Sequence, residues 1–408
     1  MYLNNYLYIK IKEIFTIFLL IIFSALIRIP VIIIFGDTNL ENEWIQLVNN
    51  LINHRGLSMH TVEGLLLPNL WMPPLYAYYL YLLSFFNLDQ QNYILLILSS
   101  QILLASIAIG IFYNINRYFF SKKISVFSSL LLSLFPVNLY ACSQISSITL
   151  HIFLSMFVYY YFFKITKNKD FTTIFIFAVT AGLLMLTRGE FAGIVVLSSV
   201  YLYFFFKIPL KNILIIILIV LTTVSPYLIR NYLIFDKIII QANFGYNLWK
   251  GNNPNAKVEG SALIENDLQT QREKIPQDKY YRILEDKIFA EEAVKNIKRE
   301  PTKYLVLFFK KVASFMFIDI ESTQPNYYNP IHYVPLLLLG ITSLIGIFLT
   351  NKKSYRLNYL ILIFFFYIII FSCFFILPRY KLVILPLQII LTNNLINYVM
   401  KKKNYGDI

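Results

Sequence analysis

The chain has 408 residues, of which 58% are hydrophobic and only 14% are charged. Soluble domains are about 45–50% apolar and about 25% charged, so a water-soluble fold of this composition would leave much apolar surface in contact with water. The bilayer is the solvent that this composition fits. The formal net charge of +14 does not indicate nucleic-acid binding, because the basic residues lie in short clusters between apolar runs.

Ten apolar runs are long enough to cross about 30 Å of hydrocarbon. They span about 14–35, 93–115, 124–141, 147–165, 171–187, 189–206, 212–229, 334–350, 357–376 and 380–400. The first run carries Arg28 and lacks a small-residue cleavage site, so we expect a retained anchor. A shorter run, 73–86, begins with two prolines, and its length predicts an interfacial helix.

The basic loops predict the topology. If 73–86 does not cross, all the short basic clusters fall on one side, which the positive-inside rule makes cytoplasmic. These clusters are Lys10/Lys12, Arg117/Lys122/Lys123, Lys164/Lys167/Lys169, Lys207/Lys211, Lys352/Lys353/Arg356 and Lys401 to Lys403. If 73–86 does cross, every later cluster moves outside while the N-terminal lysines stay inside. We therefore expect ten spans with both termini inside.

This topology divides the chain into three parts. They are a transmembrane module 1–229 with a first outer loop 36–92, an outer-face insert 230–333, and C-terminal transmembrane helices 334–408. The insert is longer than the roughly 60 residues below which loop charge sets topology, so its lysines do not contradict the assignment. A helix is predicted in it over Asp278–Arg299. We expect an all-α integral membrane protein of about ten transmembrane helices, with amphipathic helices in the first outer loop and a mixed insert on the outer face.

The first outer loop contains the segment GDTNLENEWIQLVNNLINHRGLS. Apolar residues recur in it at i, i+3, i+4 and i+7, which predicts an amphipathic helix at the membrane surface. These residues are Trp44, Leu47, Val48 and Leu51. Asp37, Glu41 and Glu43 precede or begin this helix. Acidic residues favour helix N-termini, and a carboxylate at the mouth of a membrane cavity can also accept a proton from a hydroxyl. The spacing does not decide between the two.

A second polar segment, Ser225–Ala256, follows the seventh run. In it we expect a helix to leave the membrane and pass into a turn rich in Gly, Asn and Pro. The turn carries Tyr246, Asn247, Trp249, Asn252 and Asn253. Amides beside aromatic rings suit the hydroxyls and the apolar face of a sugar, and they also suit an ordinary turn.

Three basic residues lie at the outer ends of apolar runs: Arg188 in LTRGEF, and Arg379 and Lys381 in LPRYKLVILP. Such side chains can extend to the interface, or they can hold a phosphate through charge-assisted hydrogen bonds. The four histidines show no ligand spacing, so we expect no histidine metal site.

Taken in order, these segments resemble the GT-C superfamily of polytopic glycosyltransferases. The similarity is to bacterial relatives of dolichyl-phosphate-mannose protein mannosyltransferases and of the aminoarabinose transferase of lipid A, which are like glycosyltransferase family 39. The resemblance runs along nearly the whole chain, through GDT…ENEW…NNLINHRGLS, WMPPLYAYYL, LTRGEF, SPYLIRNYLIFDK…NFGYNLWKGNNP and RYKLVILP. Their order and spacing make the set specific.

The resemblance implies a sugar donor linked to a polyprenyl phosphate and an inverting transfer to an acceptor hydroxyl. It places the reaction on the outer or periplasmic face of the inner or plasma membrane, with the catalytic module in 1–229. The first outer loop would carry the catalytic carboxylate, for which Asp37 is the best match and Glu41 and Glu43 are competitors. The acceptor would be a lipid, a glycan or a protein, and no nucleic acid is involved.

The two polar groups of the outer face then receive roles as hypotheses. Arg379, Lys381 and Arg188 would bind the donor phosphate. Tyr246, Asn247, Trp249, Asn252 and Asn253 would bind the sugar or the acceptor. Because cations can stabilise a phosphate leaving group, no cofactor is required on this hypothesis, and a divalent cation remains an alternative.

One departure from the superfamily pattern concerns the second outer loop. Many relatives have a second acidic residue there, whereas this chain has none between Pro136 and Ile152, with Gln144 and Ser147 instead. The departure argues against a mechanism with two carboxylates or a metal, and an inactive homologue is one alternative. A lipid or solute transporter or flippase and a surface-polysaccharide ligase or polymerase are others. Against transport, no discontinuous helices are paired in two halves, and Arg28 is nearly alone as a charge in the apolar runs.

Overall fold

A computed structural model of the chain describes residues 2–40, 42–60, 64–350 and 354–406. The first half of this part contains α1 (Tyr2–Phe35), α2 (Asn42–Ile52), α3 (Pro74–Ser84), α4 (Gln90–Asn116), α5 (Lys122–Leu134), α6 (Pro136–Ala141), α7 (Ile148–Ile165), α8 (Phe171–Thr187) and α9 (Ala192–Phe206). The second half contains α10 (Leu210–Phe235), α11 (Phe244–Gly251), α12 (Asn266–Glu273), α13 (Tyr281–Arg299), α14 (Pro301–Met316), α15 (Pro330–Phe348), α16 (Tyr355–Ser372) and α17 (Leu385–Gly406). Strands β1 (Ser58–His60) and β2 (Leu66–Pro68) pair antiparallel in the first outer loop.

Seven stretches in the described part of the chain are long and apolar enough to cross a membrane. They are Ile11–Phe35, Gln90–Asn116, Ile148–Ile165, Gly189–Phe206, Leu210–Phe235, Pro330–Phe348 and Tyr355–Ser372. Their outward faces carry large apolar side chains such as Ile33, Leu218 and Phe348, which are exposed on the protein surface and which lipid would cover. The chain is a multi-pass, predominantly helical membrane protein, as predicted. The predicted count of ten spans is not confirmed.

Two of the predicted spans are interrupted. The run 124–141 is divided into α5 and α6, because Pro136 lacks a backbone N–H and its ring clashes with a helical backbone before it. The Nδ2 of Asn138 donates to the carbonyl of Leu132 at 2.8 Å, which satisfies an acceptor left at the end of α5. The run 380–400 begins as a 3-10 helix, Pro378–Val383, before α17 starts.

The basic loops meet at one end of the bundle. Arg117, after α4, pairs with Glu13 of α1 at 3.3 Å. Arg356 of α16 donates from Nε to the hydroxyl of Thr166, after α7, at 3.1 Å. The Arg356 guanidinium carbon also lies 5.8 Å from the ring of Tyr118, next to Arg117. These four segments therefore lie on the same side, as the charge pattern predicts, and the cytoplasmic assignment of that side rests on the positive-inside rule.

Residues at the start of the short helix α3 and just beyond its end contact the earlier part of the first outer loop. Its Tyr76 ring lies 4.8 Å from the Trp44 ring of α2. Just after α3, Gln90 donates from Nε2 to Asn39 Oδ1 at 3.3 Å. Eleven residues span only about 16 Å as a helix, too little to cross the bilayer. The predicted apolar face of α2 is buried, and it packs against α3.

The insert has a small core of its own, formed by Trp249, Leu268, Phe289 and Ala293. The segment predicted as a Gly/Asn/Pro-rich turn contains α11, because Leu248 and Trp249 give it an apolar face that packs towards α13. A Cβ on Gly245 would lie 1.9 Å from the carbonyl oxygen of Asp286, so only glycine permits this close approach. The helix predicted over Asp278–Arg299 is present and begins at Tyr281.

Candidate active site

Asp37 follows the first transmembrane helix directly and is half-buried. Its Oδ2 accepts a hydrogen bond of 2.6 Å from the backbone N–H of Ile145, and its own N–H donates to the carbonyl of Ser143 at 3.0 Å. The bond from Ile145 is of the strong, charge-assisted kind that a carboxylate forms. Together the two bonds fasten Asp37, at the start of the first outer loop, to the second outer loop.

The second outer loop is itself fastened to the surrounding helices. Gln101 of α4 donates from Nε2 to the carbonyl of Gln144 at 3.0 Å and accepts from the hydroxyl of Tyr76 at 2.9 Å. Gln144 donates from Nε2 to the carbonyl of Phe35 at 2.9 Å. Gln144 therefore lies beside the backbone that leads into Asp37.

Two of the predicted phosphate-binding residues flank one tyrosine. The Arg188 guanidinium carbon lies 5.0 Å from the ring centroids of Tyr380 and of Phe371, and its Nε binds Glu190 at 2.7 Å. The Arg379 guanidinium carbon lies 5.8 Å from the Tyr380 ring. Arg379 is exposed and has no ion pair within the described part of the chain. Glu190 neutralises much of the charge of Arg188, so the positive charge of Arg379 is the more available of the two to a ligand.

Lys250 is a third cation that the sequence analysis did not select. Its Nζ lies 4.6 Å from the ring of Phe375, which in turn lies 5.8 Å from the Tyr380 ring. Burial, and then the positive charge of Arg379, lower the pKa of Lys250. Its only sequence signal is its place in the motif NLWKGNNP, where the neighbouring aromatic and amide residues were predicted to form the site.

Gly251 brings Lys250 to this surface. A Cβ at Gly251 would lie 2.0 Å from the carbonyl oxygen of Phe374, so α11 can end against the backbone before Pro378 only with glycine there. Arg188, Lys250 and Arg379 form what we call the cationic surface.

Lys381 has a different environment from Arg379, although the two are close in sequence. Its side chain is buried, and its Nζ donates to the carbonyl of Phe317 at 2.6 Å and to the hydroxyl of Tyr327 at 3.4 Å. The Lys381 amine thus binds groups of the protein at the end of α14. Its distance from the exposed surface distinguishes it from Arg379 and Lys250.

The five residues predicted to bind the sugar or the acceptor fall into two sets. Trp249, Asn252 and Asn253 are buried, and the two amides donate to backbone carbonyls at 2.7–2.9 Å. Tyr246 and Asn247 keep part of their surface exposed. The first set stabilises the insert, and the second set can contact a ligand.

The carboxylates of the first outer loop also separate. Glu43, in α2, lines a cavity with Trp71 and Tyr246, whereas Asp37 binds the second outer loop. Glu41 lies outside the residues that the structure describes. Among the described residues, no group of three or more His, Cys, Asp or Glu side chains could hold a metal ion.

Asp37 and the cationic surface lie at the same end of the bundle. The helix α6, which leads into the second outer loop, packs against the 3-10 helix Pro378–Val383 that carries Arg379. Asp37 binds the same loop just after α6, at Ser143 and Ile145. The segment from α6 into the second outer loop therefore contacts both Asp37 and the 3-10 helix that carries Arg379.

Comparison with known proteins identifies the fold. No protein-family model and no curated protein matches the chain. Among solved structures, it is similar to the oligosaccharyltransferase AglB from Archaeoglobus fulgidus in complex with an inhibitory peptide and a dolichol-phosphate, with a TM-score of 0.57 and 13% identity over 95% of this chain and 50% of that one. The apo form of the same enzyme gives a TM-score of 0.55 and 12% identity over 95% and 51%. A structure of ArnT from Cupriavidus metallidurans bound to undecaprenyl phosphate gives a TM-score of 0.44 and 11% identity over 91% and 75%.

The likeness shows the fold: the chain has the polytopic helical fold of the archaeal oligosaccharyltransferase AglB. The sequence resemblance to GT-C enzymes implied a fold of this kind. The chain spans about half the length of the archaeal oligosaccharyltransferase that it matches.

Proposed function

We propose that the protein is a membrane glycosyltransferase that moves a sugar from a polyprenyl-phosphate carrier to an acceptor hydroxyl. The observation that carries this proposal is the Asp37 carboxylate, held at 2.6 Å by the Ile145 N–H on the same end of a GT-C fold as the cationic surface. The archaeal oligosaccharyltransferase, solved in complex with a dolichol-phosphate, supports the choice of carrier.

The proposed reaction is a single inverting displacement. The acceptor oxygen attacks the anomeric carbon, the bond from that carbon to the phosphate oxygen breaks, and its electron pair leaves with the polyprenyl phosphate. Asp37 accepts the proton of the acceptor hydroxyl. Arg379 and Lys250 stabilise the charge on the leaving phosphate, as preorganised cations do. Arg188 contributes less positive charge because it is paired with Glu190.

A divalent cation is the alternative means of stabilising the leaving group. One solved structure of the archaeal oligosaccharyltransferase is a complex with Zn and sulfate. In this chain Asp37 stands without a second carboxylate from the second outer loop, and the Gln144 amide donates to the Phe35 carbonyl. This donor set does not fit an ion held by two carboxylates, so the proposed mechanism assigns the charge stabilisation to the cationic surface.

The orientation and the domain roles belong to the same proposal. The basic end of the bundle faces the cytoplasm, and Asp37 and the cationic surface face the periplasm or the cell exterior. The membrane parts 1–229 and 334–408 supply Asp37, Arg188 and Arg379, and the insert 230–333 covers them and supplies Lys250. A surface-polysaccharide ligase or polymerase would share this geometry and differ in its acceptor.

The test uses the purified full chain in nanodiscs with a radiolabelled sugar linked to a polyprenyl phosphate. We expect release or transfer of the sugar by the native protein and its loss in Asp37→Asn, with binding of the carrier retained. Movement of the intact carrier between leaflets without cleavage of the sugar–phosphate bond would identify a flippase instead. Analysis of the lipid-linked sugars that accumulate in a deletion strain would then identify the donor.

A further inference from the structure

A cavity of about 260 Å³ lies between the first outer loop and the insert. The first outer loop contributes Glu43 and Trp71 to it, and the insert contributes Tyr246, Arg272 and Arg282. We call it the inter-loop cavity. It does not include Asp37 or any residue of the cationic surface, so it is a second place on this face of the protein where a ligand can bind.

Aromatic rings form one wall of the inter-loop cavity. The Trp71 and Tyr246 rings lie 4.9 Å apart between centroids, and the buried Phe289 ring packs edge-on against Tyr246 at 5.1 Å. Aromatic faces of this kind contact the C–H face of a sugar ring, while hydroxyls at the ring's edge need hydrogen-bonding groups nearby.

A buried carboxylate orients two guanidinium groups in the same cavity. Glu285 is almost fully buried, and it accepts from Arg272 Nε at 2.6 Å and from Arg282 Nη1 at 2.6 Å. Arg282 also stacks over the Trp71 ring, with its guanidinium carbon 5.1 Å from the centroid. The remaining N–H groups of both arginines are therefore held in place as donors at little further entropic cost.

Glu43 supplies an acceptor in the same cavity. It has no ion-pair partner among the described residues. Two guanidinium groups and the carboxylates of Glu43 and Glu285 give the lining a formal charge of zero. A cavity with fixed donors, an open acceptor, aromatic faces and no net charge matches a neutral ligand with many hydroxyls, because each hydroxyl both donates and accepts.

We propose that the inter-loop cavity binds a neutral saccharide of the acceptor, so that the hydroxyl receiving the transferred sugar belongs to a carbohydrate. This inference rests on the proposed glycosyl transfer and names its acceptor class. Glu43 and Tyr246 determine acceptor binding, Asp37 takes the proton of the acceptor hydroxyl, and the cationic surface acts on the donor.

Saturation-transfer NMR tests this assignment on the full chain in nanodiscs free of glycoside detergent. Cellobiose is the neutral probe, and glucuronic acid and an Asn-Val-Thr tripeptide amide are the comparison probes. We expect saturable binding of cellobiose, weakened at least about tenfold in Trp71→Ala and Tyr246→Ala because the aromatic wall is lost. Tyr246→Phe keeps the ring and should bind within about threefold of the native protein. Retained binding of undecaprenyl phosphate by Tyr246→Ala would exclude misfolding as the cause of its loss of cellobiose binding.

Two further variants sharpen the test. Glu43→Gln leaves a net positive cavity, so its preference should shift from cellobiose towards glucuronic acid. Tyr328→Ala removes an exposed tyrosine of the insert outside the cavity and should change nothing. The inference is overturned if cellobiose shows no saturable binding, if the tripeptide binds in its place, or if Trp71→Ala and Tyr246→Ala both bind cellobiose normally.

The same protein preparations separate this inference from the proposed function. Binding of undecaprenyl phosphate and cleavage of the labelled donor are measured beside saccharide binding. Normal donor cleavage without saccharide binding would overturn the acceptor assignment alone. Saccharide binding without any donor cleavage would overturn the proposed transferase.

Discussion

The carboxylate of Asp37 accepts a 2.6 Å hydrogen bond from the backbone N–H of Ile145. Because the donor is a backbone group, the bond depends on the course of the second outer loop and not on any particular side chain at position 145. One carboxylate oxygen is thereby held, and the other oxygen can take the proton of an acceptor. This geometry favours Asp37 over its neighbours as the base.

We expect Asp37→Asn to lower turnover by at least about 100-fold, because asparagine keeps the size of the side chain but cannot accept a proton. The predicted order of effects on turnover is Asp37→Asn, then Glu43→Gln, then Glu41→Gln. Since Glu43 lines the inter-loop cavity, its replacement should raise KM for the acceptor more than it lowers kcat. Steady-state kinetics at varied acceptor concentration measure both parameters. A dead Glu43→Gln enzyme beside an active Asp37→Asn enzyme would transfer the role of base to Glu43.

The cationic surface can be tested with paired substitutions of one residue. Arg379→Lys keeps the charge but loses the two-pronged contact with a phosphate, so we expect donor affinity to fall about tenfold, and further in Arg379→Ala. Lys250→Ala should also weaken donor binding, seen as a higher KM for the donor. Lys287→Ala is the matched control, since Lys287 is exposed and pairs with Glu291 on α13. Unchanged donor binding in Arg379→Ala would remove that residue from the site.

The position of α3 predicts which residues can be labelled from outside the cell. Cys142 is buried and Cys373 exposed, so the background for labelling is Cys373→Ser. In it, a cysteine replacing the exposed Gln91, just after α3, should react with an impermeant maleimide in intact cells. One replacing the exposed Lys169, between α7 and α8, should react only after permeabilisation. The reverse pattern would overturn the proposed orientation, and reaction of both from outside would overturn the topology.

Lys311 on α14 predicts a pH dependence of stability. It is buried, its Nζ donates to the carbonyl of Gly251 at 2.7 Å, and burial lowers its pKa from 10.5 to about 7. Between those values the unfolded chain binds more protons than the folded one, so stability rises with pH, by up to about 1.4 kcal/mol per pH unit. The apparent unfolding temperature should therefore increase from pH 7 to pH 9.

Lys311→Met should reduce that increase, because it removes a group that titrates in this range. The neighbouring Lys310→Met is the control: Lys310 is half-exposed and pairs with Glu321 at 3.0 Å, so the increase should persist in it. An equal slope in Lys311→Met and in the native protein would show that another group titrates in this range.

The membrane helices could be predicted from the sequence because hydropathy is a local property, and a run such as 93–115 is apolar whatever surrounds it. The effect of proline on a helix is local too, yet the run 124–141 was predicted as one continuous span despite Pro136. Contacts between segments that are far apart in the chain could not be predicted from local sequence patterns. Lys250 meets the surface of Arg379 only because Gly251 lets α11 approach Phe374, and neither residue signals the other in the sequence.

The same limit applies to the first outer loop. Asp37 and Glu43 looked like competitors for one role because they lie six positions apart. The start of α2 at Asn42 turns the chain between them, so that Asp37 faces the second outer loop and Glu43 faces the insert. The resemblance to GT-C enzymes identified the loop, and only the three-dimensional arrangement assigned its carboxylates to different surroundings.

The carboxylate and the main cation of the site come from opposite regions of the chain. Asp37 enters the bilayer region early in synthesis, whereas Arg379 and the helix after it, whose Asn393 binds Asn116 of α4 at 2.8 Å, are inserted late. A ribosome-bound chain already holding its first helices in the membrane would thus lack Arg379, the cation that we propose stabilises the leaving phosphate. Under the proposed mechanism, partly synthesised or prematurely terminated copies would occupy the membrane without consuming the lipid-linked sugar.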